Sequence, residues 1–208
     1  MPHEIVSALR SGAASHRSDR MNKPLDTLSD SALCARAATE LPYVTSAFEA
    51  LVRRHQLNLL RFCRRMLRDA DPAEDATQET LIRAYHSLPQ FEGRADFKTW
   101  LFTIARNVCL TRLKRMAKES QVQENYFRDQ SSDASRHAPE AGAPAIDELL
   151  ASMPVEDREI LSLRFVAGLS LHEIADSYAL TLSATKMRLY RAIDQLRTML
   201  RNADLEIR

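Results

Sequence analysis

The sequence predicts an all-α protein made of two small helical domains joined by a flexible linker. Three observations lead there. Apolar residues recur at spacings of three and four along most of the chain, strand-like alternation is absent, and only 4 glycines interrupt 208 residues. The periodicity lapses between residues 119 and 145, where Ser, Ala, Gly and Pro carry an acidic balance, the composition of a tether. Capping and stopping residues fall where helices of ordinary length need to begin and end.

Taken in order, residues 1–26 lack periodicity and are rich in Ser, Arg and Ala, which predicts a disordered extension. Met21 offers a second possible start beside Met1. A short helix follows from about Leu28 to Ala38. A long one runs from about Tyr43 to Arg68, with Phe48, Leu51, Val52, His55, Leu59, Phe62 and Met66 on one face. His55 has no second ligand at helical spacing, so it reads as a core-edge or surface residue. The next helix is expected to start at Asp71-Pro72, with Asp71 as cap, Pro72 at the first helical position, and Glu74 and Asp75 against the positive end of the dipole. It ends near Leu88-Pro89. A loop, Phe91 to Asp96, leads into a helix from Phe97 to Lys118, which closes a first domain over residues 27–118. After the linker, a second domain covers residues 146–208.

In that second domain Leu149, Met153, Ile160, Leu163 and Phe165 form the expected apolar side. Gly168 ends a helix. Ser170 opens the next with Glu173 three residues on, the reciprocal S-x-x-E capping box. That helix turns Ile174 and Ala175 inward and stops near Tyr178. Thr181 caps the last helix, whose Leu182, Thr185, Leu189, Ile193, Leu196 and Leu200 make one apolar stripe. Its other face starts small, with Ser183 and Ala184, and continues with Met187, Tyr190 and Arg191. Two helices joined by a three-residue turn, the second amphipathic and basic, fit a helix-turn-helix whose last helix enters a major groove. An αα-hairpin with a solvated basic face fits the same segment.

Composition excludes several classes. Net charge is only +1, but it averages separate blocks: Arg53 to Arg68 is basic without an acid, Asp69 to Glu79 is acidic without a base, and Arg94 to Lys118 is basic apart from Asp96. Separate blocks suit separate partners. Cys34, Cys63 and Cys109 are odd in number and far apart, with no CxxC, so they read as small core residues of a reducing compartment. No apolar run reaches membrane-span length, and no signal-peptide apolar region opens the chain. His172-Glu173 begins HEIAD, where Asp176 stands in place of the second His of an HExxH zinc site, and the capping box already explains Glu173. No Gly-rich phosphate loop and no Ser/His/Asp order suggests an enzyme.

Two blocks together resemble a known family. They are AEDATQETLIRAYHSLPQFEGRADFKTWLFTIARNVCLTRLKR, from Ala73 to Arg115, and MPVEDREILSLRFVAGLSLHEIADSYALTLSATKMRLYRAIDQLR, from Met153 to Arg197. The pairing is similar to sigma factors of the sigma-70 family, in the compact extracytoplasmic-function (ECF) group, over most of residues 28–200. The resemblance implies a region 2 bundle and a region 4 helix-turn-helix. It implies core RNA polymerase (β′ and β subunits) and promoter DNA as partners, an anti-sigma factor that holds the protein inactive, and a cytoplasmic location. Membrane contact would be indirect, through a membrane-bound anti-sigma factor. It implies no catalysis, cofactor, metal or small-molecule substrate.

The resemblance also assigns residues. Asp75, Gln78 and Glu79 match the motif that docks on the coiled coil of β′; Asp75 and Glu79, four apart, share a helix face with Gln78. The loop from Phe91 and the helix after it match the part that opens the −10 element. Phe91, Phe97 and Trp100 would hold unstacked bases, although Phe97 and Trp100 equally suit a core. The loop would form a pocket for a flipped base, with Asn107 at its side. Arg94, Arg106, Arg112, Lys114 and Arg115 would serve the −10 strand, the cations on its phosphates. Ser183, Ala184, Lys186, Met187, Arg188, Tyr190 and Arg191 would face the −35 duplex. The linker would thread toward the polymerase active centre. Two positions depart from the family pattern: Ala179 stands where the turn usually has Gly, and Thr185 where a β-branched apolar residue is usual. The alternative reading is a helix-turn-helix regulator that binds DNA without polymerase.

Overall fold

The computed structural model describes residues 24–127 and 145–206. Among the described residues eight α-helices follow one another: α1 (Asp30–Glu40), α2 (Ser46–Leu67), α3 (Ala70–Ser87), α4 (Phe97–Phe127), α5 (Ala145–Ser152), α6 (Val155–Phe165), α7 (Leu171–Tyr178) and α8 (Leu182–Glu206). Short 3₁₀ turns lie at Leu25–Thr27 and Leu88–Gln90. No strand occurs among the described residues.

The first four helices pack as a bundle because each carries a stripe at helical spacing. On α2, Leu51, Leu59, Phe62, Cys63 and Met66 are buried; on α4, Leu101, Phe102, Ala105, Val108 and Cys109 are. Phe62 and Phe102 meet edge-on with centroids 5.5 Å apart, the arrangement that aromatic quadrupoles favour. The buried face of α3 is small: Ala73, Ala76, Thr77, Thr80 and Ala84. The two threonine hydroxyls donate to the carbonyls of Ala73 and Ala76, so their burial leaves no donor unpaired. All three cysteines are reduced and buried; Cys63 and Cys109 hydrogen-bond across α2 and α4, and that bond together with burial pushes the Cys109 thiol up.

The last four helices build the second bundle. Gly168, at φ +67°, turns the chain after α6, and the Leu169 amide reaches back to the Leu163 carbonyl. Ser170 and Glu173 make both halves of the predicted capping box. Thr181 accepts the amide of Ala184 at 3.2 Å and so caps α8. Ala179 ends α7 in the left-handed region, at φ 52° and ψ 40°, so this turn does require positive φ and alanine supplies it. Thr185 is fully buried, and its hydroxyl is satisfied by the Thr181 carbonyl at 3.1 Å. Ala175 is buried where α7 meets its neighbours.

Several boundaries differ from expectation. The cap of α3 is Asp69, which accepts the Asp71 amide; the helix therefore starts at Ala70 rather than at Asp71-Pro72. Order begins before residue 27: Arg54 donates to the carbonyls of Leu25 and Asp26, which pins the 3₁₀ turn to α2. Helix α4 runs on to Phe127, past the expected end at Lys118, because Glu119 to Phe127 contains neither Gly nor Pro to stop it. The expected disorder of residues 1–23 and the linker stretch 128–144 lie outside the described residues. Phe165, expected on the inner side of α6, is 64% exposed, while Arg158 and Glu159 are buried. Phe165 lies two residues from the buried Leu163, about 200° around the helix, so both cannot point inward.

The two bundles meet along one seam. Arg158, 2% exposed, sends its guanidinium to the Met66 carbonyl at the end of α2 and to the Ala151 carbonyl, each at 3.1 Å. A cation at the carbonyl end of α2 also complements that helix dipole. Arg106 of α4 pairs with Glu159 of α6, Thr99 donates to Glu173 of α7, and Lys98 reaches the Gly168 carbonyl at 2.9 Å. The buried apolar residues of both bundles form one continuous cluster behind these polar contacts.

Candidate partner and nucleic-acid interfaces

The acidic face of α3 is built on the turn set by Asp69. Asp75 and Gln78 are exposed and Glu79 half-exposed, so the structure brings the three together on one side. This face is internally braced. Arg112 of α4, whose side chain is 17% exposed, pairs with Glu79 at 2.8 Å and with Asp75 at 3.5 Å. The Arg112 hydrogen bond, with help from Arg83, holds the Glu79 carboxyl below its ordinary value. Arg112, expected to hold phosphate, thus faces the acids of α3. Ile82 lies one turn beyond Glu79 and is 58% exposed, an apolar residue beside the acids that charge pattern alone did not single out.

The loop after α3 carries Gly93 at φ +70°, a conformation that glycine adopts without strain. It faces the start of α1 across an open hollow of about 540 Å³. Ser29, Ser31, Phe91, Glu92, Asp96 and Lys98 are among its lining residues. Phe91 packs at a tilt of 39° against Trp100 with centroids 4.8 Å apart, and Phe97 stands 5.7 Å from the same indole. Of the three, Phe97 is buried, whereas Phe91 and Trp100 keep partial exposure. Asn107 is not at this hollow. It lies about 15 Å further along α4, at 1.5 Å per residue, and lines a separate depression with Ile82, Arg83, His86, Ser87 and Ile104. Asp30, at the hollow's rim, is held by Arg54 at 2.8 Å and His55 at 2.6 Å. Burial alone would raise its carboxyl, but these two partners leave it below the ordinary value.

Among the predicted cations, Arg94, Lys114 and Arg115 are exposed. Arg94 lies beside Glu92, and Arg115 is 3.5 Å from Glu119. Arg106 is drawn into the seam. Burial by itself would weaken its charge, and the Glu159 carboxylate more than offsets that.

On α8 the expected division of faces is present. Thr185, Leu189 and Ala192 are buried. Ser183, Ala184, Lys186, Met187, Tyr190 and Arg191 are exposed, and Arg188 is partly covered. Met187 and Tyr190 are each 61% exposed, unusual for side chains of this size on a helix that also has a satisfied inner face. Arg188 lies over the ring of Tyr178 from α7. Sequence reasoning missed Glu159, Arg158 and Tyr178 as contact residues. Glu159 and Arg158 sit in a charged run whose periodicity gives no sign of burial, and Tyr178 reads only as a helix end.

A helix-turn-helix on one bundle, and an acidic face beside a long basic helix on the other, define a two-part helical protein with separate contact surfaces. Comparison with known proteins narrows this. Residues 51–119 match the family model for sigma-70 region 2, and residues 149–198 match sigma-70 region 4. The chain is 31% identical over 173 residues to the ECF RNA polymerase sigma factor SigL of Mycobacterium tuberculosis, covering 80% of this chain and 96% of the relative. Its fold is similar to CnrH in complex with the cytosolic domain of CnrY, with a TM-score of 0.62 and 25% identity, over 83% of this chain and 97% of that one. It is equally similar to the sigma factor RpoE in complex with the anti-sigma factor NepR from Bartonella quintana, with a TM-score of 0.62 and 26% identity, over 76% and 98%. The chain belongs to the sigma-70 family of sigma factors, in its ECF group.

Proposed function

We propose that this chain is an alternative sigma factor in which the α3 acids dock on core RNA polymerase, the loop and α4 open the −10 element, and α8 reads the −35 duplex. The chain supplies no chemistry of its own; polymerase makes the RNA. The observation that carries the reading is the presence, in one chain, of a braced acidic docking face and a groove-sized helix whose outer face is exposed. Small residues at the start of α8 allow close approach to base edges, and Lys186, Arg188 and Arg191 are spaced to meet phosphates or guanine edges. The hollow beside the Phe91–Trp100 pair is the proposed seat for an unstacked base. The proposed domains are 27–118 and 146–208, with 119–145 between them.

The protein works in the cytoplasm, where polymerase and DNA are; among the described residues no helix is long and apolar enough to cross a membrane. Because two similar folds are described in complex with CnrY and NepR, a protein inhibitor of the anti-sigma kind is proposed as a further partner.

The test is transcription by purified bacterial core polymerase on a pool of upstream DNA from the source genome, with the chain added or omitted. Discrete transcripts that need the chain are expected. Lys186→Ala with Arg188→Ala should weaken promoter binding at least about tenfold while sparing core binding, as lost base and phosphate contacts do. Asp75→Arg with Glu79→Arg should do the reverse. A gel shift without polymerase, together with no transcripts, would make the chain an ordinary regulator instead.

A further inference from the structure

The basic run from Arg53 to Arg68 has no task in the proposed function, yet α2 turns it into a face. Arg53, Leu57, Arg61 and Arg64 fall within about 80° of one side of the helix, and Arg68 caps it one turn further on. All five are exposed. From Arg53 to Arg68 the row is about 22 Å long, at 1.5 Å per residue. Arg53, Arg61 and Arg68 make no ion pair or side-chain hydrogen bond among the described residues. Arg64 meets Glu74 at 3.0 Å, but both side chains are half-exposed, and a pair of that kind holds its cation weakly. Glu49, the one acid of α2, lies a turn before Arg53 and accepts the Thr45 hydroxyl at 2.6 Å. Burial, and then the like charge of Arg68, hold the Arg158 guanidinium below its ordinary value; an anion at Arg68 relieves that repulsion.

Four guanidinium groups in a row suit a polyanion. Which polyanion follows from two neighbours. Arg54, next to Arg53, pairs with Asp30 at 2.8 Å, and Asp30 lines the hollow beside Phe91. The row therefore starts at the rim of that hollow. Leu57, 56% exposed, stands between the cations. A duplex lying along α2 would offer it only sugar and phosphate, whereas a single strand also offers the faces of unstacked bases.

We infer that the outer face of α2 is a track for single-stranded DNA, on which Arg53, Arg61, Arg64 and Arg68 hold the phosphates of the −10 strand as it runs on from the hollow. The inference rests on the proposed function, in which the hollow seats an unstacked base. Guanidinium groups on phosphates carry no sequence information, so the track adds affinity and not base preference. Its effect is to keep the strand from rejoining its complement once the first base is seated.

The experiment uses the full chain. Fluorescence anisotropy follows its binding to a labelled oligothymidylate of about 16 nucleotides, and to a duplex of the same length, over a range of salt concentrations. Arg53→Gln, Arg61→Gln and Arg68→Gln together remove three phosphate contacts. At about 0.7 per contact on a single strand, the slope of log K against log salt should become shallower by about 2. Lys118→Gln, Arg197→Gln and Arg201→Gln, three exposed charges away from the track, should change it by less than about 1. An unchanged slope with native helix content overturns the track, as does an unaltered chain that binds no single strand at low salt. Equal losses on single strand and duplex overturn the assignment to a single strand.

A second arm uses the complex with core polymerase on a promoter recovered by the transcription test. The triple variant should lower the fraction of promoter that permanganate finds open by at least about fivefold, with core affinity unchanged. Lower core affinity with unchanged strand binding would mean that the row meets protein, and overturns the track. If the unaltered chain supports no transcription, sigma activity fails, and the oligothymidylate titration still decides the track.

Discussion

Replacing Ala179 by glycine should stabilise the helix-turn-helix. The residue sits at φ 52° and ψ 40°, where a Cβ crowds the following carbonyl at a cost of about 1–2 kcal/mol. Glycine removes that cost but adds freedom to the unfolded chain, which returns about 0.5–1 kcal/mol. Ala179 is exposed, so no packing is lost. The net gain is about 0.5–1 kcal/mol. For a bundle of this size that raises the melting midpoint by about 2–8 °C. Calorimetry of the full chain measures it, because heating resolves the second bundle if it melts separately and raises the common midpoint if the seam couples the two. A midpoint that is unchanged or lower would show that the turn is not strained as described. Ala179→Val provides the opposite control. A β-branched residue is worse still in this region of backbone space, so the midpoint should fall.

Further outcomes follow from the same contacts. Ser170→Ala removes the side-chain half of the capping box, and it should cost about 1 kcal/mol in urea titration; Ser170→Gly should cost less. Arg112→Met keeps the stem and removes the fork that braces Glu79 and Asp75. The loss should be about 1 kcal/mol, limited because the acids are partly exposed, and Arg112→Lys should recover only part of it. Acid should weaken the same brace. The Glu79 carboxyl is depressed in the folded chain, so its contribution is complete above the ordinary carboxylate value and lost as pH falls through the lower folded value. Urea midpoints of the unaltered chain should therefore fall more steeply than those of Glu79→Gln between about pH 5 and pH 3.

Much of the fold was readable because helical spacing reports a buried stripe directly. The faces of α2 and α8, the capping box at Ser170 and the special turn at Ala179 all rest on residues within a few positions of one another. The acidic face of α3 and the outer face of α8 were readable for the same reason. What escaped was long-range. Arg158 and Glu159 are buried only because the end of α2 and Arg106 of α4 come to meet them, and nothing in their neighbours along the chain announces it. Arg112 and Asn107 are on the predicted helix, but which way each points is set by α3. The exposure of Phe165 and the burial of Arg158 invert hydropathy locally, and tertiary contact rather than periodicity decides both.

One helix ties these features together. The aromatic Trp100, the seam residues Thr99 and Arg106, and the brace Arg112 all ride on α4. Their separations and relative angles are fixed by the helix, not by the loops around it. One residue inserted between Trp100 and Arg112 would turn everything beyond it by about 100° and advance it by about 1.5 Å. Arg112 would swing off Glu79 while Trp100 stayed beside Phe91. Changes of length are therefore barely tolerated within this stretch. Over α4 the chain can vary in composition but not in count.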